Sequence, residues 1–281
     1  MKTVNTKSEV RKLVAAWREE GLSIGLVPTM GYLHEGHQSL ISRAAKENDR
    51  VVVSVFVNPT QFAPNEDLQS YPRDLAADQI KAEAVGASLI FAPTPEEMYA
   101  PDFSTYIQTG NISKLLCGQT RPTHFQGVCS VVCKLFNIVT PDRAYFGQKD
   151  AQQMAVVKRM VRDLDMNLQI VGCPIIREED GLAKSSRNTY LSPKERQAAL
   201  VLSRSLREGR GMIENGETDG EKVLERIRSI IDSEPLARLD YAEMVSWDAI
   251  EVHHTIDQPV LVAIAVYIGN TRLIDNFIWE D

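Results

Sequence analysis

Two histidines three residues apart, His34 and His37, lie in the segment Val27-Pro28-Thr29-Met30-Gly31-Tyr32-Leu33-His34-Glu35-Gly36-His37. The apolar run over 22–27 has the form of a buried strand. After the segment, Leu40, Ile41, Ala44 and Ala45 fall on one face of a helix. The segment is therefore a strand-to-helix turn. A helix N-terminus offers unpaired N–H groups and the positive end of a dipole, which suit an anion such as phosphate. Gly31 and Gly36 lack a Cβ and let backbone approach a ligand closely. On a first helical turn His34 and His37 share a face, where two imidazoles can donate to phosphate oxygens. The competing reading is a chance pair on a loop, and spacing alone does not separate the two. Zinc fits less well, because the histidines of the helical His-Glu-x-x-His motif are four apart.

The same residues carry a resemblance. The stretch from Thr29 to His37 resembles the His-x-Gly-His signature of the nucleotidyltransferase superfamily. In its full form it resembles the pantothenate synthetase (pantoate–β-alanine ligase) family. Four further segments agree with that family in order: Phe56-Val57-Asn58-Pro59-Thr60-Gln61-Phe62, Tyr71-Pro72-Arg73-Asp74, Phe146-Gly147-Gln148-Lys149-Asp150, and residues 180–188. The resemblance implies a two-step condensation with ATP, pantoate and β-alanine as small-molecule substrates. The pantoate carboxylate attacks the α-phosphorus of ATP, giving pantoyl adenylate and pyrophosphate. The amine of β-alanine then attacks the mixed anhydride, giving pantothenate and AMP. Both steps need positioning and neutralised phosphate charge, and no enzyme nucleophile is implied.

By that resemblance, Met30, Gly31, Tyr32, Leu33, His34, Glu35, Gly36 and His37 form a first ATP segment, with both histidines against the phosphates. His37 matches the family's catalytic histidine, described as a proton donor. Its physical reading is electrostatic, a donor to the charge that develops as pyrophosphate leaves. Gly147, Gln148, Lys149 and Asp150 form a second ATP segment. Lys149 suits phosphate as a point charge, and Asp150 suits a ribose hydroxyl or is only the cap of the next helix. Ile176 matches a residue whose backbone contacts adenine. Lys184, Ser185, Ser186 and Arg187 form a third segment, similar to the Lys-Met-Ser-Lys-Ser loop of class I aminoacyl-tRNA synthetases. A solvated charge is the alternative for Arg187. Gln61 and Gln153 carry over as the pantoate site, with Gln61 also near β-alanine and Asn58 beside them. An amide can donate to a carboxylate and accept from a hydroxyl at once, as a 2-hydroxy acid requires. The alternatives are a capping box for Asp150-Ala151-Gln152-Gln153 and a simple turn for Asn58-Pro59. Lys184 and Gln148 depart from many relatives, which carry Met and Glu there. His124 looks family-like and receives no role, and His253 and His254 read as surface residues.

Composition sets the bounds. A chain of 281 residues can bury a sizeable core in two domains. Its formal net charge of −7 argues against a nucleic-acid binder, which shows a basic stripe. The opening residues lead into a polar helix rather than an apolar signal segment, and the longest apolar runs are too short to span a bilayer. Cys117, Cys129, Cys133 and Cys173 have neither disulfide nor zinc spacing, and Cys129 and Cys133 read as core thiols of a cytoplasmic protein. No acidic cluster has metal-ligand spacing, so Mg²⁺ is expected to ride on the phosphates of ATP.

The elements that must position these residues alternate. Helices are expected over 8–20, 37–46, 74–85 and 125–139 and from Ala151. Strands are expected over 22–27, 51–57, 88–92, 143–146 and 168–176, with irregular chain over 94–121. This is the pattern of an α/β protein with a doubly wound, Rossmann-like parallel sheet, whose ligands sit at the carboxyl ends of the strands. Beyond Ile176 the pattern becomes a smaller α+β domain. Ser192-Pro193-Lys194-Glu195 opens a helix to about 208, a second covers 221–231, and strands cover 239–247, 260–268 and 273–278. The expected division is a nucleotide- and pantoate-binding domain over 1–176 and a domain over 177–281 closing over the ATP site. The resemblance implies a homodimer formed through the larger domain. The apolar face from Val128 suits such a surface and suits a core equally. Two other functions fit the phosphate motifs: a different adenylyltransferase of the same superfamily, and a nucleotide-binding module without catalysis. Gln61 and Gln153 discriminate against the first, and the full phosphate set argues against the second.

Overall fold

The structure, a computed structural model, describes residues 1–64 and 66–280. It opens with β1 (Lys2–Val4), a strand that sequence periodicity does not disclose because three residues carry too little alternation. Thr6 then caps α1 (Lys7–Glu19) in a reciprocal box with Glu9. There follow β2 (Ile24–Thr29), α2 (Glu35–Glu47), β3 (Arg50–Val55), α3 (Leu75–Ala84) and β4 (Leu89–Phe91). Two single-turn helices, α4 (Pro95–Met98) and α5 (Cys117–Thr120), punctuate the irregular stretch before α6 (His124–Val139). Then come β5 (Arg143–Gly147), α7 (Ala151–Asp163) and β6 (Gln169–Cys173).

The six strands form one parallel sheet in the order β1-β4-β3-β2-β5-β6. Ile24, Leu26, Val27, Val52 and Val53 are fully buried, the condition of a parallel sheet covered by helices on both faces. The chain winds outward from β2 through β3 to β4, then returns to the other side of β2 with β5. The winding therefore reverses at β2, and a doubly wound sheet binds ligands at the carboxyl end of such a switch-point strand. The apolar face of α6 is core: Val128, Val132, Leu135, Phe136 and Val139 are all buried within the chain. Cys129 is buried with them, and burial pushes its thiol up to about 12, whereas Cys133 is half-buried.

By its contacts the chain divides into two compact units. The first holds Met1–Thr109, Arg121–Gln148 and Val156–Pro174; the second holds Gly110–Thr120, Lys149–Ala155 and the chain from Ile175. In the second, Ser192 caps α8 (Pro193–Ala198) with the expected box to Glu195. The helix expected to run on to 208 instead breaks at Ala199, and α9 (Leu200–Glu214) starts afresh. The break is a tightening of the backbone, in which the Leu202 N–H reaches the Ala199 carbonyl at 3.2 Å. After α10 (Gly220–Asp232), strands β7 (Ala237–Ser246), β8 (Val260–Ile268) and β9 (Thr271–Trp279) form an antiparallel sheet. Val223, Ile227 and Ile231 of α10 share one core with Val260, Val262, Ile264 and Val266 of β8. Among the described residues no helix is long and apolar enough to cross a membrane.

Leu26 sits at the centre of the parallel sheet, so Leu26→Ala is expected to lower the unfolding free energy by about 2–5 kcal/mol in a denaturant titration. Ile80, which is 71% exposed, is expected to change it by less than about 0.5 kcal/mol when replaced by Ala.

Candidate active site

The turn after β2 is wound left-handed over two successive residues, Gly31 at φ +83° and Tyr32 at φ +51°. The protein's own packing already requires glycine at 31, since a Cβ there would lie 2.9 Å from Val55 Cγ1 and 3.0 Å from Asp78 Oδ2. The Gly31 N–H donates to Thr29 Oγ1 at 3.1 Å, and the Thr29 hydroxyl donates to the Ser54 carbonyl at 2.7 Å. Asp78 of α3 accepts the next two backbone donors, Tyr32 N–H at 2.9 Å and Leu33 N–H at 2.6 Å. Lys81, one turn further along α3, donates from Nζ to the Leu33 carbonyl at 2.7 Å. Burial pushes the Asp78 carboxyl above its ordinary value, against the pull of these donors.

The helix that follows starts earlier than its apolar stripe, because the two histidines are its cap. His34 is the N-cap residue: its Nδ1 accepts from the Gly36 N–H at 3.1 Å, while the His34 N–H donates to His37 Nδ1 at 3.4 Å. The ring centroids stand 4.1 Å apart. A ring nitrogen that accepts carries no proton, so both neutral imidazoles hold theirs on Nε2. The pair is thus a matched set of uncharged Nε2–H donors at a helix N-terminus, a site suited to phosphate.

The turn after β3 carries Gln61. Asn58 is 1% exposed, and its amide joins the turn to its surroundings. Its Oδ1 accepts from Tyr99 Oη at 2.7 Å and Thr60 Oγ1 at 3.0 Å, and its Nδ2 donates to Gln61 Oε1 at 3.0 Å and to the Gly127 carbonyl at 3.2 Å. This fixes the Gln61 amide with Nε2 3.3 Å from Met30 Sδ, so Gln61 and the first ATP segment are neighbours. His124, which the sequence left without a role, donates from Nδ1 to the Gln61 carbonyl at 3.0 Å. Arg121 pairs with Glu66 at 2.6 Å and 2.7 Å and also reaches the Gln61 carbonyl at 3.3 Å. Burial alone would raise the Glu66 carboxyl, but its bonds to the Arg121 guanidinium outweigh that and hold it below its ordinary value. At Gly127 a Cβ would fall 2.4 Å from the Thr60 carbonyl oxygen, so α6 and this turn meet backbone to backbone.

In the second unit, Ile176 and Lys184 face each other, with the Lys184 N–H on the Ile176 carbonyl at 2.9 Å and a bridge between Arg177 and Ala183. Ser185 caps the short turn Ser186–Tyr190, Ser186 is buried, and Arg187 is half-buried. Asp275 of β9, itself 2% exposed, grips Arg177 at 2.7 Å and 3.0 Å. The adjacent Asn276 donates to the Lys149 carbonyl at 2.9 Å. One strand thereby holds the Ile176 segment and Lys149 together. Arg196 braces the loop through Glu178 at 2.6 Å and Asp180 at 2.8 Å. Asp150 pairs with Lys149 Nζ at 3.5 Å. Among the described residues no side-chain hydrogen bond joins Asp150 or Gln153 to the start of α7, so the capping box their spacing permits does not form. Its neighbour Gln152 is the structural glutamine, buried and bonded to the Ile112 and Leu115 carbonyls and the Cys117 N–H. A Cβ on Gly147 would meet open space. Half-buried His253 pairs with Asp257 at 2.7 Å, and His254 is exposed. Among the described residues no group of three or more His, Cys, Asp or Glu could hold a metal ion.

The positioning residues Asp78, Lys81, Asn276 and Arg196 escape sequence reading. Each sits within an ordinary helix or strand pattern, and only the fold brings it to a motif.

A switch-point turn ending in a histidine-capped helix defines a nucleotide-binding α/β protein of the doubly wound class. The chain belongs to the pantoate–β-alanine ligase family, whose family model matches residues 2–278. A pantothenate synthetase of Ruminiclostridium cellulolyticum is 60% identical over 277 residues, covering 99% of this chain and 98% of that protein. One from Clostridium acetobutylicum is 57% identical over 280 residues, covering 100% of both. Among solved structures, a pantothenate synthetase from Thermus thermophilus superposes with a TM-score of 0.93 at 46% identity, covering 99% of each chain. A pantoate–β-alanine ligase from Francisella tularensis, complexed with beta-gamma ATP and β-alanine, gives 0.81 at 34%, covering 99% of this chain and 97% of that one.

Gly127→Ala is expected to cost about 1–3 kcal/mol in thermal unfolding, because the new methyl must displace the Gln61 turn. The Glu66 carboxyl has a lowered pKa in the folded state, so its stabilising effect is complete above the ordinary value of 4.5 and is lost as pH falls through the depressed one. The stability difference between the protein and Glu66→Gln, measured by denaturant titration across pH, is expected to be constant near neutrality and to shrink in acid.

Proposed function

We propose that this chain joins pantoate to β-alanine at the expense of ATP, through a pantoyl adenylate, as its family membership implies. The observation that carries the reading is the adjacency of two functions in the first unit: the neutral histidine donors of the switch-point turn, and an amide-oriented Gln61 beside Met30. A pantoate carboxylate oxygen attacks the α-phosphorus, the bond to the β-phosphate breaks, and pyrophosphate leaves with its electron pair. The β-alanine amine then adds to the acyl carbon, AMP leaves, and the amine's surplus proton passes to solvent.

In this reading the Nε2–H groups of His34 and His37 donate to phosphate oxygens and strengthen as charge moves onto departing pyrophosphate. Lys149, Lys184 and Arg187 supply permanent positive charge to ATP, and Ser185 and Ser186 supply hydroxyl and backbone groups. Asp150 is assigned to the ribose and the Ile176 backbone to adenine. Gln61 and Gln153 hold the carboxylate and hydroxyl of pantoate, supported for Gln153 by the absence of the competing cap. Asn58 acts through Gln61 rather than on the substrate. Mg²⁺ enters as part of the substrate, bound to ATP phosphates, and no step is assigned to a metal held by the protein. The four free cysteines suit a reducing cytoplasm. The same reading takes the assembly to be a homodimer, and light scattering tests its mass.

Pyrophosphate release from MgATP is expected to require pantoate and no β-alanine, with AMP and amide appearing only when the amine is added. Silence with pantoate, combined with turnover of another acid, would assign the ATP chemistry to a different acceptor. Gln61→Ala is expected to raise the KM for pantoate roughly 10- to 100-fold, the loss of one or more hydrogen bonds to a charged ligand. An unchanged pantoate KM would remove Gln61 from the substrate.

A further inference from the structure

Asp78 lies outside every segment given a chemical role above. It sits on α3, 1% exposed, in a helix whose other acidic residue, Glu83, is exposed. Both its oxygens serve one task, accepting the consecutive Tyr32 and Leu33 N–H groups at 2.9 Å and 2.6 Å. Successive backbone N–H groups in a turn can point toward one spot and create a concavity that receives an anion. Here the protein's own carboxylate fills it. One helical turn on, Lys81 takes the Leu33 carbonyl at 2.7 Å, so α3 grips Leu33 by its donor and its acceptor together. The next residue is His34, whose own backbone N–H and ring build the cap that aims both imidazoles.

We infer that Asp78, with Lys81, is a positioning residue for the ATP half-reaction, holding Leu33 so that the capped pair His34 and His37 presents its Nε2 edges in register. The inference rests on the reading above that these histidines meet the phosphates of ATP. A carboxylate that only stabilises the fold would, on removal, weaken both half-reactions alike. One that positions the histidines acts on pyrophosphate release and spares the amine step. A displacement of about an ångström at a catalytic group costs on the order of 10²-fold in rate.

The test compares Asp78→Asn, His37→Ala and the double variant in two assays, on enzyme whose folding is checked by circular dichroism. The first assay is pantoate-dependent pyrophosphate release, and the second is aminolysis of supplied pantoyl adenylate by β-alanine. In Asp78→Asn the amide turns N–H groups toward a backbone N–H. The expected result is a drop on the order of 10²-fold in pyrophosphate release, with aminolysis retained. Residues that act as one unit do not add, so the double variant is expected to fall no further than His37→Ala alone. Unchanged release in His37→Ala would overturn the phosphate reading itself, and the inference with it. Impaired His37→Ala beside unimpaired Asp78→Asn overturns the inference alone, as does an equal loss in both assays. Should Asp78→Asn fail to fold, Lys81→Met decides: it removes the second grip while keeping the aliphatic stem. Selective loss of pyrophosphate release there supports the inference, and equal or absent loss overturns it.

Discussion

A backbone held left-handed at Gly31 and Tyr32 is the constraint on which the first unit's chemistry depends. Only glycine adopts that region freely, and a residue such as Tyr32 held there costs of order 1–3 kcal/mol. The turn persists because its outward N–H groups meet a carboxylate. Hydrogen bonds to a charged group contribute about 1.5–3 kcal/mol each, so the two to Asp78 offset the strain and part of the cost of burying the charge. Burial still pushes the Asp78 carboxyl above its ordinary value, against these donors. The turn could not be relaxed without releasing the helix that follows, because Leu33 is joined to α3 on one side and to His34 on the other.

That helix is capped by imidazole rather than by the usual hydroxyl or carboxylate. A hydroxyl would satisfy the orphan N–H and end there. An imidazole accepts at one nitrogen and carries its proton on the other, so the cap converts a structural requirement into an aimed donor. The donors are uncharged, and Lys81, the cation beside the turn, is committed to the Leu33 carbonyl. The permanent charges proposed for ATP, Lys149, Lys184 and Arg187, all belong to the second unit. There β9 supplies the bracing, with Asp275 on Arg177 and Asn276 on the Lys149 carbonyl.

The alternation of apolar runs made the parallel sheet legible, because its strands are buried on both faces and its helices on one. The motif residues were legible as types at fixed spacing. The residues that hold them were not. Asp78 reads as an ordinary acid near the start of an amphipathic helix, and nothing in its neighbours announces that a turn 45 residues earlier will need an acceptor. His124 reads as a residue just ahead of a helix, with no role, while its bond to the Gln61 carbonyl depends on how closely α6 approaches, which Gly127 decides. Spacing was also permissive where the structure is selective. Asp150 and Gln153 fit a capping box that does not form, and Gln152, one residue away, is the glutamine spent on structure. Strand β1 was too short to leave a pattern, and the break at Ala199 carries no local signal in the sequence.

The group proposed to meet the acyl substrate in the first unit, Gln61, is an amide rather than a cation, and there is a chemical reason for it. A carboxylate that must attack phosphorus should be oriented without being neutralised, since a cation bound to it in the ground state would stabilise the reactant and raise the barrier. An amide donor positions the oxygen at lower electrostatic cost, provided its two ends are not free to exchange. Tyr99 removes that freedom at one remove. Its hydroxyl donates to Asn58 Oδ1 and so fixes which end of Asn58 faces Gln61; Asn58 Nδ2 then donates to Gln61 Oε1. The Gln61 Nε2 edge is left on the Met30 side by a chain of donors and acceptors that begins at the half-buried Tyr99 phenol, whose pKa burial has raised. Replacing a charged clamp by an oriented amide therefore shifts the demand from the substrate contact to the packing behind it, and the close approach of Gly127 to the Thr60 carbonyl is where that demand is met.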